Sequence, residues 1–280
     1  MHKVNKVSDL RTIIRAWRSA GQSIALVPTM GNLHAGHLCL VTEAKKKADR
    51  VVVSIFVNPT QFGAGEDFES YPRTEYEDQT ALNELGTDLL FQPEVSELYE
   101  SDAKTVVSVL ELSKRYCGAS RPGHFDGVAT VVCKLFNMVQ PDVAVFGLKD
   151  FQQLTVIRTM ARDLNIPVDI IGVETVREQS GLAMSSRNGY LTTEEKIVAA
   201  KLYQSLSIAR DCILAGQLSF QEIECNALLF LRESGFKPDY FNVCRSGDMQ
   251  SAIETDKDLV LLAAARLGKT RLIDNIYFSR

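Results

Sequence analysis

The sequence predicts an α/β protein with a doubly wound parallel sheet (Rossmann-like), followed by a smaller C-terminal α+β domain. Two observations predict the sheet: short apolar, β-branched runs recur along the first two thirds of the chain, and helical patterns alternate with them. Such alternation is typical of βαβ units. The third observation is a change of pattern near residue 178, after which helical segments precede strand-like ones. We therefore expect domains at 1–177 and 178–280, with the second domain acting as a lid.

The first elements are a helix, a strand and a second helix. Ser8 is the expected N-cap of an amphipathic helix that ends at Gly21. A buried strand is predicted at 24–27, where an apolar run is bounded by Pro28. Apolar residues then recur at helical spacing within 38–48, with lysines on the other face.

The turn between this strand and the second helix is the strongest candidate for a binding site. Gly31, Asn32 and Gly36 are residues typical of a tight strand-to-helix turn. A helix N-terminus offers unpaired N–H groups and a partial positive charge, which attract a phosphate. His34 and His37 lie three residues apart and share one face if the helix has begun. The turn therefore predicts a nucleotide site.

Two other interpretations of the histidine pair remain open. His-x-x-His is also half of a metal site, although no dense group of cysteines or carboxylates lies nearby in the sequence. Simple helix capping by the two histidines is the more common of these two interpretations. The chain contains only four histidines, and two of them occur in this turn, which favours a functional role.

The middle of the chain continues the alternation. A β-branched run at 51–57 predicts a strand buried on both faces, and the long polar loop at 58–73 after it is a typical place for binding residues. Helix 74–85 and strand 88–91 follow. The remaining predicted elements of the first domain are a strand or strand-like connection at 105–110, a helix ending near Val139, a strand at 143–147, a helix over 151–161 and a strand at 168–173.

The C-terminal segment has a different pattern. Two helices are predicted to begin at capping boxes and to end at Gly216 and Gly235. Short strands are expected at 240–244, 258–267 and 270–278. The two capping boxes are Thr192 with Glu195 and Ser219 with Glu222.

Other polar groups follow predicted strands and could join the nucleotide site. A lysine after a strand-end glycine suits a triphosphate, and a carboxylate beside it could accept from a ribose hydroxyl or hold Mg²⁺. Two serines with an arginine form a compact phosphate-binding set, and neutral glutamine amides suit a small hydroxy acid. Each group is also compatible with an ordinary surface loop. These residues are Lys149 and Asp150; Ser185, Ser186 and Arg187; and Gln61, Gln152 and Gln153.

Composition narrows the class of protein. The net charge of −4 argues against nucleic acid or an anionic membrane as the main partner. No apolar stretch approaches 20 residues, so we expect neither a signal peptide nor a membrane span. The six cysteines form no C-x-x-C pair and lie mostly in apolar runs, which predicts reduced core thiols and a cytoplasmic location. Walker A, G-x-G-x-x-G and G-x-S-x-G motifs are absent.

Five ordered motifs resemble those of the pantothenate synthetase (pantoate–β-alanine ligase) family. They are PTMGNLHAGH, SIFVNPTQF, RPGHFDGVATVV, FGLKDFQQL and GLAMSSRN, and the resemblance extends over nearly the whole chain. The segment His34-Ala35-Gly36-His37 is similar to the HIGH signature of the wider nucleotidyltransferase superfamily. Leu148 is a departure, because the family usually has glutamate there.

The resemblance implies a reaction and a set of roles. ATP and (R)-pantoate would give pantoyl adenylate and pyrophosphate, and β-alanine would then give pantothenate and AMP. His37 (as proton donor), His34 and Lys149 would be catalytic, Gln61 and Gln153 would bind pantoate, and Gln61 would also bind β-alanine. The implied ATP-binding residues are Met30, Gly31, Asn32, Leu33, His34, Ala35, Gly36, His37, Gly147, Leu148, Lys149, Asp150, Val176, Met184, Ser185, Ser186 and Arg187.

The resemblance also implies Mg²⁺ with ATP and a homodimer, while the metal ligands stay open. His124 lies outside the phosphate-binding turns, so we expect a milder loss on its removal. The alternatives are an adenylyltransferase of the same superfamily acting on a phosphate acceptor, and a non-catalytic nucleotide-binding regulator.

Overall fold

The computed structural model describes residues 1–63, 65–216 and 218–280. The chain forms two compact units, Met1–Leu148 with Val156–Glu174, and Lys149–Thr155 with Thr175–Arg280. The expected boundary after residue 177 and the lid role of the C-terminal domain stay predictions. Ala64, in the predicted loop 58–73, lies outside the described residues.

The first unit contains a parallel sheet with strand order β1-β4-β3-β2-β5-β6. Each neighbouring pair is parallel, and helices lie between successive strands, so the predicted doubly wound α/β fold is confirmed. The strands are β1 His2–Val4, β2 Ile24–Thr29, β3 Arg50–Ile55, β4 Leu89–Phe91, β5 Val143–Gly147 and β6 Asp169–Val173.

Apolar runs determine the centre of this sheet. β2 and β3 pair along their whole length, and Leu26 and Val52 are completely buried at one point of register. The strand β2 also continues through Pro28, which the sequence placed at its boundary. This is possible because β5 pairs with β2 only at Ala25 and Leu26, so that ladder ends before the proline, which has no N–H to donate.

Helices and short 3-10 turns connect the strands. The first seven helices are α1 Val7–Ser19, α2 Ala35–Lys45, α3 Glu75–Glu84, α4 Val95–Leu98, α5 Cys117–Ser120, α6 His124–Val139 and α7 Phe151–Asp163. The 3-10 helices in this part are Pro59–Gln61, Leu112–Lys114 and Leu148–Asp150.

Several local predictions were wrong. Helix α1 begins at Val7 with Lys6 in the cap position, whereas a Ser8 cap would place its start later. Helix α2 ends at Lys45, and Ala48 packs on the core from beyond it. The sequence missed β1, whose three residues carry no apolar run. Of the two alternatives predicted for the segment 105–110, a strand or a strand-like connection, the structure has the connection.

The second unit contains an antiparallel sheet in the order β7-β8-β9, as the expected α+β domain requires. Helix α9 packs on β8 and β9, and α10 packs on β7. Both predicted capping boxes form, but the first opens a short helix that is followed directly by another. The elements are α8 Thr193–Ala199, α9 Lys201–Ala215, α10 Phe220–Glu233, β7 Lys237–Arg245, β8 Asp258–Leu267 and β9 Thr270–Ser279, with a 3-10 helix at Ser186–Tyr190.

The cysteines and the helix lengths bear on two further expectations. Each of the six cysteines is a thiol rather than half of a disulfide. Cys117 and Cys244 are buried, and the partly buried Cys212 packs against the core of the second unit. Cys39 and Cys133 are only partly buried and Cys225 is exposed, so core placement was wrong for Cys225. In the described part of the chain, no helix has both the length and the apolar character needed to cross a membrane.

Candidate active site

The carboxyl ends of β2 and β5 lie side by side in the first unit, at the point where the strand order reverses. In doubly wound sheets, ligands bind in the crevice that opens at such a switch point. The turn that carries both histidines follows β2, and Gly147 ends β5. The fold therefore places the predicted phosphate turn where a nucleotide site is expected.

The main chain of this turn needs an unusual conformation. Gly31 has φ +83° and Asn32 has φ +50°, both in the left-handed region that glycine and asparagine tolerate best. A Cβ at Gly31 would lie 3.0 Å from Asp78 Oδ2 and 3.1 Å from Ile55. The turn can therefore pack closely on its neighbours only with glycine at this position.

His34 and His37 cap the N-terminus of α2 reciprocally. The Gly36 N–H donates to His34 Nδ1 at 3.1 Å, and the His34 N–H donates to His37 Nδ1 at 3.3 Å. The two rings lie 4.1 Å apart between centroids. The capping interpretation of the pair is therefore confirmed, and it is compatible with phosphate binding because capping uses only Nδ1.

This capping also determines the tautomer of both imidazoles. A ring nitrogen that accepts from a backbone N–H cannot carry a proton of its own. Each neutral ring therefore holds its proton on Nε2, the nitrogen that points away from the helix cap. The turn thus orients two Nε2–H donors at a helix N-terminus, which suits the oxygens of a polyphosphate.

Asp78 supports the turn from helix α3. Its carboxylate is 3% exposed and accepts from the N–H groups of Asn32 at 2.8 Å and Leu33 at 2.7 Å. The Thr74 hydroxyl donates to the same carboxylate at 3.2 Å. Sequence reasoning missed this residue, because an acid in the first turn of a helix is an ordinary feature.

Replacing Asp78 by asparagine should weaken this turn. The amide can accept from one of the two backbone donors but must turn its NH₂ towards the other. Leaving a buried donor unpaired costs about 1–3 kcal/mol. We expect the free energy of unfolding to fall by about that amount, with a higher KM for ATP, measured by denaturant unfolding and steady-state kinetics.

Glu77→Gln is the matched control, because Glu77 is an exposed acid beside Asp78 in the same helix. It should leave both the unfolding free energy and the KM for ATP nearly unchanged. Wild-type behaviour of Asp78→Asn in both measurements would contradict the supporting role.

Gln61 lies in a second loop of the first unit, and its amide orientation follows from its neighbours. The Gly127 carbonyl can only accept, so the atom of Asn58 that lies 3.1 Å from it is Nδ2. The same NH₂ donates to Gln61 Oε1 at 3.0 Å. Gln61 Nε2 therefore points the other way, towards Met30 Sδ at 3.2 Å. The loop presents an amide donor, which suits a carboxylate.

In the second unit, Lys149 is tied to strand β9. Asn275 Nδ2 donates to the Lys149 carbonyl at 2.8 Å, and Asn275 is 6% exposed. The neighbouring Asp274 forms a bidentate ion pair with Arg177, with distances of 2.6 Å and 3.0 Å. The C-terminal strand therefore holds both the lysine loop and the segment that carries Val176.

The structure also brings together two groups that the sequence analysis treated separately. The Met184 N–H donates to the Val176 carbonyl at 2.9 Å, and Arg177 forms a β-bridge with Ala183. Ser185 then caps the 3-10 helix Ser186–Tyr190 by accepting from the Arg187 N–H at 3.3 Å. Within this unit, the residue expected at adenine is therefore adjacent to the expected triphosphate segment.

Some of the predicted site residues belong to the first unit and the rest to the second. Met30 to His37, Gln61, Gly147 and Leu148 belong to the first unit, and the others belong to the second. Of the two neighbouring glutamines, Gln152 is 5% exposed, whereas Gln153 is more accessible. Asp78, Asp274 and Asn275 were missed because their partners are distant in sequence. Asn58 was also missed, although an asparagine directly before a proline is a local signal for the cap that it forms.

The parallel sheet and the histidine-bearing turn define a nucleotide-binding α/β protein. A family model described as pantoate-beta-alanine ligase matches residues 2–277. The chain belongs to this family.

Proteins named as members of this family match the chain along its full length. The chain is 54% identical over 282 residues to the pantothenate synthetase of Shewanella loihica, covering 100% of both. A crystal structure of pantothenate synthetase from Thermus thermophilus matches with a TM-score of 0.93 and 43% identity, covering 99% of each chain. Pantoate-beta-alanine ligase from Francisella tularensis, complexed with beta-gamma ATP and beta-alanine, matches with a TM-score of 0.81 and 33% identity, covering 99% of this chain and 97% of that one.

Proposed function

We propose that this protein condenses (R)-pantoate with β-alanine at the expense of ATP, through a pantoyl adenylate. A carboxylate oxygen of pantoate attacks the α-phosphorus, and pyrophosphate leaves with the electron pair of the broken P–O bond. The β-alanine nitrogen then attacks the acyl carbon and loses a proton as AMP departs. The observation that carries this proposal is the family match over residues 2–277, in a chain whose histidine turn and glutamine loop both form.

The histidine turn offers hydrogen-bond donors and partial positive charge, which would stabilise the negative charge that the first step places on the phosphate oxygens. Attack by a carboxylate on a polyphosphate brings two anions together and places more negative charge on the phosphate oxygens. His34 and His37 direct Nε2–H groups from fixed rings, so little reorganisation accompanies the reaction. We assign His37 and His34 to these oxygens and the α2 N-terminus to the phosphates.

Gln61 is assigned to the acid substrates. Its Nε2 donor orientation, fixed through Asn58, suits the carboxylate of pantoate and later that of β-alanine. A donor held by a buried hydrogen-bond chain orients the carboxylate without adding charge. Because the Gln61 amide is neutral, it can bind the pantoate carboxylate and still leave that carboxylate able to act as a nucleophile.

The roles of the second-unit residues are part of the same proposal. Lys149 would offset phosphate charge, Asp150 would serve the ribose or the metal ion, and Val176 would contact adenine. The segment Met184 to Arg187 would bind the triphosphate, and Gln153 would bind pantoate. Ser185 accepts from the Arg187 N–H and thereby fixes the start of this short helix, while the phosphate role rests on the hydroxyls and the guanidinium of the segment.

Magnesium is proposed as part of the nucleotide substrate. Within residues 1–63, 65–216 and 218–280, no three His, Cys, Asp or Glu side chains are grouped to hold a metal ion. Mg²⁺ usually keeps several waters and binds through substrate phosphates with one or two carboxylates, so a single Asp150 fits such an ion. Its chemistry would be to neutralise phosphate charge. The homodimer is likewise a proposal from the family resemblance, and the cytoplasmic location is a proposal from the scattered cysteines.

The proposal is tested by incubating the protein with Mg²⁺, ATP, (R)-pantoate and β-alanine. We expect pantothenate, AMP and pyrophosphate in equal amounts, with no AMP when pantoate is omitted. Formation of ADP instead, or binding of ATP without turnover, would overturn the proposed function.

Gln153→Ala should weaken pantoate binding selectively. Loss of a hydrogen bond to a charged group costs about 1.5–3 kcal/mol, which corresponds to roughly ten- to a hundredfold in KM for pantoate. The KM for ATP should stay nearly unchanged. Gln204→Ala removes an exposed glutamine of helix α9 and serves as the control. An equal loss of ATP affinity in Gln153→Ala would show that the assignment is wrong.

A further inference from the structure

The loop that carries Gln61 is held at its main chain by three side chains outside the substrate roles assigned above. His124 Nδ1 lies 2.7 Å from the Gln61 carbonyl oxygen, and Arg121 Nη2 lies 3.2 Å from the same oxygen. Glu66 Oε2 accepts from the Gly63 N–H at 3.2 Å. The contacts therefore reach the loop at two points, at the last residue of the short 3-10 helix Pro59–Gln61 and two residues after it.

The partners of His124 determine its tautomer. A carbonyl oxygen can only accept, so His124 donates to Gln61 from Nδ1–H. Its Nε2 lies 2.9 Å from Arg121 Nη1, which can only donate, so Nε2 accepts. His124 is therefore neutral, with the opposite tautomer to His34 and His37.

Arg121 and Glu66 complete the set through a two-point ion pair. Arg121 Nε lies 2.6 Å from Glu66 Oε1, and Nη2 lies 2.5 Å from Oε2. The two side chains are only 16% and 25% exposed. Burial by itself raises the pKa of Glu66, but the hydrogen bonds and charge of Arg121 outweigh it and lower that pKa to about 2.

The depressed pKa means that the ion pair is intact under neutral conditions. Since the folded-state pKa lies below the ordinary value of 4.5, the stabilisation is present above pH 4.5 and is lost as the pH falls towards 2. The Arg121 guanidinium is thus oriented by Glu66 and can direct its remaining N–H groups to Gln61 and His124.

We infer that Glu66, Arg121 and His124 are positioning residues that act through the main chain of Gln61 and thereby set the affinity for the acid substrates. We call these three residues the loop clamp. Through Asn58, the loop already fixes the Gln61 amide so that Oε1 accepts from Asn58 and Nε2 faces Met30 Sδ. The clamp fixes where the loop itself lies. The inference rests on the role proposed for Gln61.

A second feature makes the location of this loop sensitive to small movements. Gly127, one turn after His124 on α6, packs against the same loop so closely that an added Cβ would lie 2.4 Å from the Thr60 carbonyl oxygen. Helix α6 therefore contacts the loop both through polar groups at its N-terminus and through bare backbone one turn later.

The test uses His124, because its hydrogen bonds to Gln61 and Arg121 can be removed separately. His124→Asn keeps a donor near the Nδ1 position, whereas His124→Ala removes both contacts. We expect His124→Ala to raise the KM for pantoate and for β-alanine about ten- to a hundredfold, with the KM for ATP within about twofold of wild type. His124→Asn should restore most of the affinity for both acids.

A double-mutant cycle with Gln61→Ala separates positioning from general stability. If the clamp acts through Gln61, then His124→Ala should raise the KM for pantoate much less in the Gln61→Ala background than in the wild type. The same fold-change in both backgrounds would overturn the inference, as would a parallel rise in the KM for ATP. A lower melting temperature with unchanged KM values would also overturn it. Wild-type protein that fails to make pantothenate would instead contradict the proposed function.

Discussion

Replacing His37 by alanine is expected to slow adenylate formation by about a hundred- to a thousandfold, the usual cost of removing one preorganised donor. The reason is the fixed geometry of the turn, in which Nδ1 of His37 accepts from the His34 N–H and Nε2 carries the proton. Lys149→Ala should have an effect of the same order if its ammonium offsets phosphate charge. Both variants should remain folded.

The first half-reaction can be followed alone. With β-alanine omitted, reversible adenylate formation scrambles an oxygen label between the bridging and non-bridging positions of ATP. The wild type should scramble the label only when pantoate is present, because the pantoate carboxylate is the nucleophile. His37→Ala and Lys149→Ala should nearly abolish scrambling.

Two further variants separate the capping role of His37 from its donor role. His37→Asn places an acceptor near the Nδ1 position, so it keeps the cap while losing Nε2–H. His37→Gln places a donor near Nε2 but loses the cap. Scrambling should be lost in His37→Asn and partly kept in His37→Gln. Wild-type scrambling in His37→Ala, combined with failure to release pantothenate, would assign the histidine to amide formation instead.

Gly127→Ala should have the next largest effect after the His37 and Lys149 variants. An added Cβ would lie 2.4 Å from the Thr60 carbonyl oxygen and 2.7 Å from the Gln61 nitrogen, and backbone atoms must move to accommodate it. A displacement of about 1 Å in a positioning element can cost on the order of a hundredfold in rate. We expect kcat/KM for pantoate to fall by about that factor, with ATP affinity much less affected.

Gly247→Ala is the matched control, because a Cβ at Gly247 meets nothing within 4 Å. It should leave both kcat/KM and the melting temperature close to wild type. If Gly127→Ala bound and used pantoate normally, the loop would be able to move without consequence, and the proposed role of Gln61 would lose its structural basis.

Much of the fold follows from local patterns. The β-branched run around β3 and the apolar run of β2 are strong strand signals, and both strands lie at the centre of the sheet. The capping boxes that open α8 and α10 were predicted because each is encoded within four residues. By contrast, β1 is too short and polar to be recognised, and only its pairing with β4 makes it a strand.

In the candidate site, too, features encoded in a short segment were predicted and contacts between distant segments were not. The histidine turn was predicted because glycine, asparagine and histidine occur together in one short segment. Asp78 could not be predicted, since it contacts Asn32 across 46 positions of sequence. The loop clamp was missed for the same reason, because Arg121 donates to the Gln61 carbonyl from 60 positions away in the sequence. Such contacts depend on the packing of α3 and α6 and leave no periodic signal.

The central claim, that the histidine turn serves a reaction through pantoyl adenylate, is tested most directly by the fate of the carboxylate oxygens of pantoate. The protein is supplied with Mg²⁺, ATP, β-alanine and pantoate labelled with ¹⁸O in its carboxylate, and AMP is analysed by mass spectrometry. Attack of that carboxylate on the α-phosphorus, followed by cleavage of the acyl C–O bond, must leave one labelled oxygen on each AMP. Unlabelled AMP, or label in inorganic phosphate with formation of ADP, would contradict the account.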